Sequence, residues 1–200
     1  MVLIVTGGIG SGKSQVCRIL KDMGFQHQYD ADSRAKALYE EHPTLLSDIE
    51  TSLGCNLKDE TGKFQPTRLA SVIFSDRAAL DKVESHLFPA LKADFASFAR
   101  SCGEGIVVFE SATVLEKPQF EGFGDKVILV DAPFDVRLER ACRRDGADRQ
   151  KVLARMQNQK LMNDLSAGCE DPRIDCRILN DGSLEDLVSR TKTAINSLIS

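Results

Sequence analysis

The sequence predicts an α/β fold with five parallel strands, and three observations lead there. Short continuous apolar runs at Val2–Val5, Ile106–Phe109 and Val127–Val130 have the composition of strands covered on both faces. Between them, apolar residues recur at helical spacing. The first run also passes directly into a glycine loop and then a helical pattern, the order of an α/β unit.

Each element follows in turn. Val16, Ile19, Leu20 and Met23 mark the helix after the glycine loop, and Gly24 ends it. Phe25 to Tyr29 fits a second short strand, and Asp30-Ala31-Asp32 opens a helical stretch reaching about Glu41. From about Pro43 to Cys102 the pattern is an insertion of helices, carried by Leu45, Leu46 and Ile49, then Leu69, Val72 and Ile73, then Leu80, Val83 and Leu87. A last strand falls around Cys176 to Leu179. After Asn180-Asp181-Gly182, Ser183 is placed to cap a helix bearing Leu184, Leu187, Val188, Ile195 and Leu198.

The chain has 200 residues, 42% hydrophobic and 28% charged, which suits one domain with a sizeable core and disfavours disorder or a coiled coil. No apolar run approaches the ~20 residues that span a bilayer, and no signal segment is visible, so the expectation is a cytoplasmic protein without a membrane partner. A net charge of −4 and the absence of an aromatic stacking platform weigh against nucleic acid as a partner, while leaving room for a local cationic pocket. The six cysteines form no C-x-x-C pair and the three histidines fall at unrelated spacings, so all nine read as structural.

Gly7-x4-Gly12-Lys13-Ser14 fits the phosphate-loop pattern in full, with a strand before it and a helix after it. Glycines let backbone N–H groups approach phosphate oxygens, and the helix N-terminus adds a fixed partial positive charge. In this pattern Lys13 reaches the β- and γ-phosphates while the Ser14 hydroxyl ligates Mg²⁺.

Two further groups bear on the reaction. Asp30 and Asp32 stand near the mouth of the first crevice, where a carboxylate can accept a hydroxyl proton, help hold the metal or simply serve the start of a helix. Arg137, Arg140 and Arg144 share one helical face. That stripe suits either a transferring phosphoryl group or a solvated surface paired with Glu139 and Asp145.

The run Val5-Thr6-Gly7-Gly8-Ile9-Gly10-Ser11-Gly12-Lys13-Ser14, with Asp30-Ala31-Asp32 some fifteen residues on, resembles the dephospho-CoA kinase family. Weaker landmarks continue in order through Pro89, Glu116, Arg140, Arg144-Asp145, Arg155 with Gln159, Asp175 and Asn180-Asp181-Gly182, covering almost the whole chain. The resemblance implies a P-loop kinase three-layer fold similar to nucleoside monophosphate kinases: one domain over 1–200, a helical substrate-binding insertion at about 43–102 and a small lid at about 146–174. It implies ATP as co-substrate, Mg²⁺, and phosphorylation of the ribose 3′-hydroxyl of dephospho-CoA.

Carried over by position, the resemblance makes Lys13, Asp32 and Arg140 catalytic, with Asp32 as base. Gly8, Gly10, Ser11, Gly12, Lys13, Ser14, Gln15, Arg144, Asn180 and Gly182 would hold the nucleotide, and Ser14 the metal. The sequence departs from the family at Gln15, where a threonine is usual, at Phe88-Pro89, where His-Pro is common, at Ala112 to Glu116, and in the lid around Asn163 to Arg173. The competing readings are a P-loop kinase for another nucleotide or small metabolite, and a nucleotide-binding switch without turnover.

Overall fold

The computed structural model describes residues 1–74 and 76–199. Ser75, within the expected insertion, and Ser200 lie outside the described residues. The chain divides into two compact units, Met1–Asp30 with Glu104–Ser200, and Ala31–Gly103.

The first unit is built on five strands, β1 Val2–Thr6, β2 Gln28–Asp30, β3 Val107–Glu110, β4 Lys126–Asp131 and β5 Cys176–Leu179. All pair in parallel in the order β2-β3-β1-β4-β5. The five-stranded parallel α/β fold expected from the sequence is therefore present. Helix α1, Lys13–Asp22, follows β1, and helix α9, Leu184–Ile199, closes the chain. Both pack on one face of the sheet: Val16, Ile19 and Leu20 of α1 and Leu187, Ala194 and Ile195 of α9 join Leu3, Val5, Val108, Ile128, Val130 and Ile178 in one core. Strand alternation sends Phe109 to the opposite face. There its ring meets Tyr29 at 5.6 Å and Phe123 at 4.8 Å.

Strand β2 begins three residues later than its apolar run suggests. Phe25 N–H donates to Leu20 O and Gln26 N–H to Gly24 O, so these residues complete the turn after α1. As an edge strand, β2 is held by β3 alone. At the other end, Ser183 does cap α9: its hydroxyl accepts from Asp186 N–H at 3.2 Å, while the Asp186 carboxylate accepts from Ser183 N–H at 2.9 Å.

The second unit contains α2 Ala31–Glu41, α3 Leu45–Leu53, α4 Pro66–Ile73 and α5 Arg77–Ser101. Helix α5 is its spine, with α2, α3 and α4 packed against it. Asp76 caps α5 by accepting from Ala79 N–H, and a two-pronged ion pair from Arg34 to Asp94 ties α2 to α5 at 2.8 and 3.0 Å.

In the first unit, α6 Phe134–Asp145, α7 Arg149–Gln157 and α8 Lys160–Ser166 follow β4. Leu138 and Ala141 of α6 share a small core with Val152 and Met156 of α7. No helix among the described residues is long and apolar enough to cross a membrane.

Candidate active site

Because the strands are parallel, their C-terminal ends lie along one edge of the sheet, where open α/β sheets receive ligands. Each carries a polar residue at or just beyond that end: Thr6, Asp30, Glu110, Asp131 and Asn180. The hydrophobic strands thus deliver a polar row to one edge.

The glycine loop occupies the middle of that edge, after β1. Gly12 has φ of +100°, and a Cβ there would lie 2.1 Å from the Asn180 amide nitrogen, so glycine is required for both conformation and space. From Gly12 the helix begins, Gln15 and Val16 N–H groups both bonding to Gly12 O. A helix N-terminus that opens directly from a glycine loop is the usual setting for an anion.

Lys13 and Ser14 are held through their side chains and Ser11 through its backbone carbonyl. Lys13 Nζ donates to Gly7 O at 3.0 Å, folding back over the start of the loop. Asn180 Nδ2 donates to Ser11 O at 2.8 Å, and Arg140 Nη1 donates to Asn180 O at 3.0 Å. Arg140 is thereby linked to the loop through Asn180. Gln159, at the start of α8, accepts from Ile9 N–H at 2.7 Å. Gln15 follows in the first turn of α1, and Gly8 and Gly10 lie against Arg137.

Ser14 Oγ donates to Glu110 Oε1 at 2.7 Å. Sequence reasoning missed Glu110, although its signal was available: an acid directly ending a buried β-branched run. The same carboxylate acts on Cys17, whose thiol is pushed far up, first by burial and then by the Glu110 charge. Cys17 is therefore a neutral packing group, as expected for a structural cysteine.

The arginine stripe divides into three environments. Arg137 is buried, Arg140 engages Asn180, and Arg144 is exposed, with its Nε on Asp145 Oδ1 at 2.7 Å. Arg155 of α7 approaches the other Asp145 oxygen at 2.9 Å. The Arg144 hydrogen bond, seconded by Arg155, lowers the Asp145 carboxyl to about 2. Gly182 lies at the approach to α9, where a Cβ would come within 2.6 Å of the Asp186 carboxylate. Asp30 ends β2 opposite Glu110, whereas Asp32, in the exposed first turn of α2, belongs to the second unit.

This geometry is that of a nucleotide-phosphate site, and comparison with known proteins specifies it. The profile of the dephospho-CoA kinase family matches residues 1–186. The chain belongs to the dephospho-CoA kinase family. It is 38% identical to the dephospho-CoA kinase of Porphyromonas gingivalis, over 84% of this chain and 81% of that one. The Chlorobaculum tepidum dephospho-CoA kinase is 32% identical over 98% and 93% of the two chains. Among solved structures, a Thermus thermophilus protein superposes with a TM-score of 0.84 at 28% identity, covering 100% of this chain and 98% of that one. The Acinetobacter baumannii shikimate kinase, at 16% identity, shares the fold with a TM-score of 0.56 over 100% and 95% of the chains. As a member of this family the protein is a P-loop kinase acting on a small molecule.

Proposed function

We propose that the protein transfers the γ-phosphoryl group of ATP to the ribose 3′-hydroxyl of dephospho-CoA, forming coenzyme A and ADP in the cytoplasm. The observation that carries this reading is the complete phosphate loop, braced by Asn180 and facing Glu110, in a chain matched by the family over residues 1–186. Phosphoryl transfer needs positioning and charge stabilisation more than covalent chemistry, and a rigid loop of N–H donors supplies both.

In this mechanism the loop and Lys13 bind the β- and γ-phosphates, with Lys13 exchanging its bond to Gly7 O for phosphate oxygen. Asp32 accepts the proton of the attacking 3′-hydroxyl; its support is its place in the family's Asp-Ala-Asp, since geometry alone fits a helix-start role equally well. Arg140 neutralises charge on the transferring group, a role supported by its link through Asn180 to the loop. Arg144, Gly182 and Asn180 belong to the nucleotide end of the site.

Mg²⁺ fits the residues present. The Ser14 hydroxyl and Glu110 carboxylate are hard oxygen donors 2.7 Å apart, and Mg²⁺ typically takes one or two such protein ligands alongside phosphate and water. When bound, it would neutralise charge on the phosphate oxygens. We assign the helices at about 43–102 to the acceptor and the segment at about 146–174 to a lid within one kinase domain over 1–200; the compactness of Ala31–Gly103 supports the first assignment.

Coupled ADP release tests the reading, with ATP and Mg²⁺ and with dephospho-CoA compared against nucleoside monophosphates, adenosine and pantetheine. Turnover confined to dephospho-CoA is expected. Preference for another acceptor, or ADP release without any acceptor, would overturn it.

A further inference from the structure

Arg137 is a buried charge that the mechanism above leaves unused. Its relative exposure is 1%, and none of its three guanidinium nitrogens has a hydrogen-bond partner among the described residues. The guanidinium lies 5.6 Å over the Phe134 ring, which stabilises a cation without accepting the in-plane hydrogen bonds a guanidinium offers. Asp131 is the carboxylate whose field reaches it. That carboxylate is already engaged, accepting from Ala132 N–H and Ser166 Oγ and standing 3.8 Å from Arg177. An ion held this way is costly to bury.

Its position gives the cost a purpose. A Cβ at Gly8 would fall 2.1 Å from Arg137 Nη1, and one at Gly10 would fall 2.1 Å from Arg137 O. Two loop residues are thus fitted to this one arginine: a Cβ at Gly10 would meet its backbone, and one at Gly8 would displace its guanidinium. Lys13 Nζ, which serves the β- and γ-phosphates in this motif, rests on Gly7 O beside Gly8. The guanidinium therefore backs the terminal-phosphate end of the loop, where the protein is dry and charges are weakly screened.

We propose that Arg137 is a permanent counter-charge built into the wall behind the phosphate loop, balanced by the polyphosphate of the bound nucleotide rather than by a hydrogen-bonded partner in the protein. Shut off from solvent, it acts through the loop as a fixed field, so it is a positioning residue and not a catalytic one. The inference rests on the reading of the loop as an ATP site, though not on dephospho-CoA as acceptor.

The test is calorimetric titration of wild type, Arg137→Met and Arg137→Lys with MgATP, ADP and adenosine, together with the melting temperature of each unliganded protein. Arg137→Met should bind MgATP about tenfold or more weakly, ADP less severely affected and adenosine unchanged, because only phosphate charge feels the field. Arg137→Lys should recover most of the MgATP affinity. With the uncompensated charge gone, unliganded Arg137→Met should melt at or above the wild-type temperature. Unchanged MgATP affinity in Arg137→Met, equal losses for ATP and adenosine, or a lower unliganded melting temperature would each overturn the proposal. Should Arg137→Met not fold, that too would show the guanidinium supporting the empty protein and overturn it. A wild type that binds MgATP but does not phosphorylate dephospho-CoA would sink the acceptor assignment alone and leave the Arg137 comparison intact.

Discussion

Replacing Asn180 by alanine attacks the brace between β5 and the phosphate loop. Asn180 Nδ2 gives Ser11 O a buried hydrogen bond at 2.8 Å; of the two bonds from Arg140, the one to the Asn180 backbone carbonyl survives the substitution and the longer one, at 3.5 Å to Oδ1, is lost. The variant therefore leaves one buried carbonyl without its donor and forfeits the long contact from Arg140 Nη2. Such a loss costs about 1–3 kcal/mol. In a protein of this size each kcal/mol moves the melting temperature by roughly 2–4 °C, so a fall of about 2–12 °C is expected by scanning calorimetry. Because Ser11 lies within the loop, KM for ATP should rise, and saturating ATP should restore part of kcat. Asn180→Asp should be worse at neutral pH, since a carboxylate oxygen would then face Ser11 O. An Asn180→Ala protein with wild-type melting temperature and KM would refute the claim that this side chain holds the loop.

Lys13→Ala should fold normally yet lose nearly all phosphotransfer, because its side chain folds back on the loop itself at Gly7 O while its charge belongs on the phosphates; circular dichroism alongside coupled ADP release checks both halves. Asp32→Asn should cut kcat by a factor on the order of 10²–10⁴ with ATP affinity kept, since asparagine serves a helix start as well as aspartate does. Unchanged kcat in that variant would return Asp32 to a structural role. Asp145, held at about 2 chiefly by Arg144, has a folded pKa below its unfolded value of about 4, so its contribution is complete above that range and disappears as the pH falls through 2. The gap in melting temperature between wild type and Asp145→Asn should accordingly be constant from pH 7 to about pH 4 and shrink towards zero near pH 2. A gap that persists undiminished at pH 2 would show that the carboxylate charge is irrelevant there.

Where hydrophobic pattern and local chemistry agreed, the elements could be read from the sequence. Val2–Val5, the glycine loop and the α1 stripe were legible because a buried strand, an anion cradle and a helix face each demand particular residue types. Ser183 was legible as a cap for the same reason. Strand β2 was misplaced because Phe25 is apolar on account of the core it packs against, not because it lies in a strand. The arginine stripe was only half legible. Helical spacing puts Arg137, Arg140 and Arg144 on one face, but it cannot show that the same face meets the loop, then Asn180, then solvent along its length. Glu110 was visible as an acid ending a buried run, but its pairing with Ser14, 96 residues away, was not, and Gln159 lay beyond local reading because its partner Ile9 stands 150 residues away.

The strand order also governs how this chain must fold as it is synthesised. Strand β1 lies in the middle of the sheet, and its neighbours are β3, from Val107, and β4, from Lys126. An apolar segment made early therefore remains without either hydrogen-bonding edge until more than a hundred further residues have emerged, several seconds or longer at about 5–20 residues per second. During that interval Ala31–Gly103, whose helices find their partners within the unit, can collapse on local contacts. Val2–Thr6 is thus the stretch most in need of shielding in the nascent chain, and a charge introduced into its buried positions should depress the yield of folded protein through the cost of burying it in the central strand.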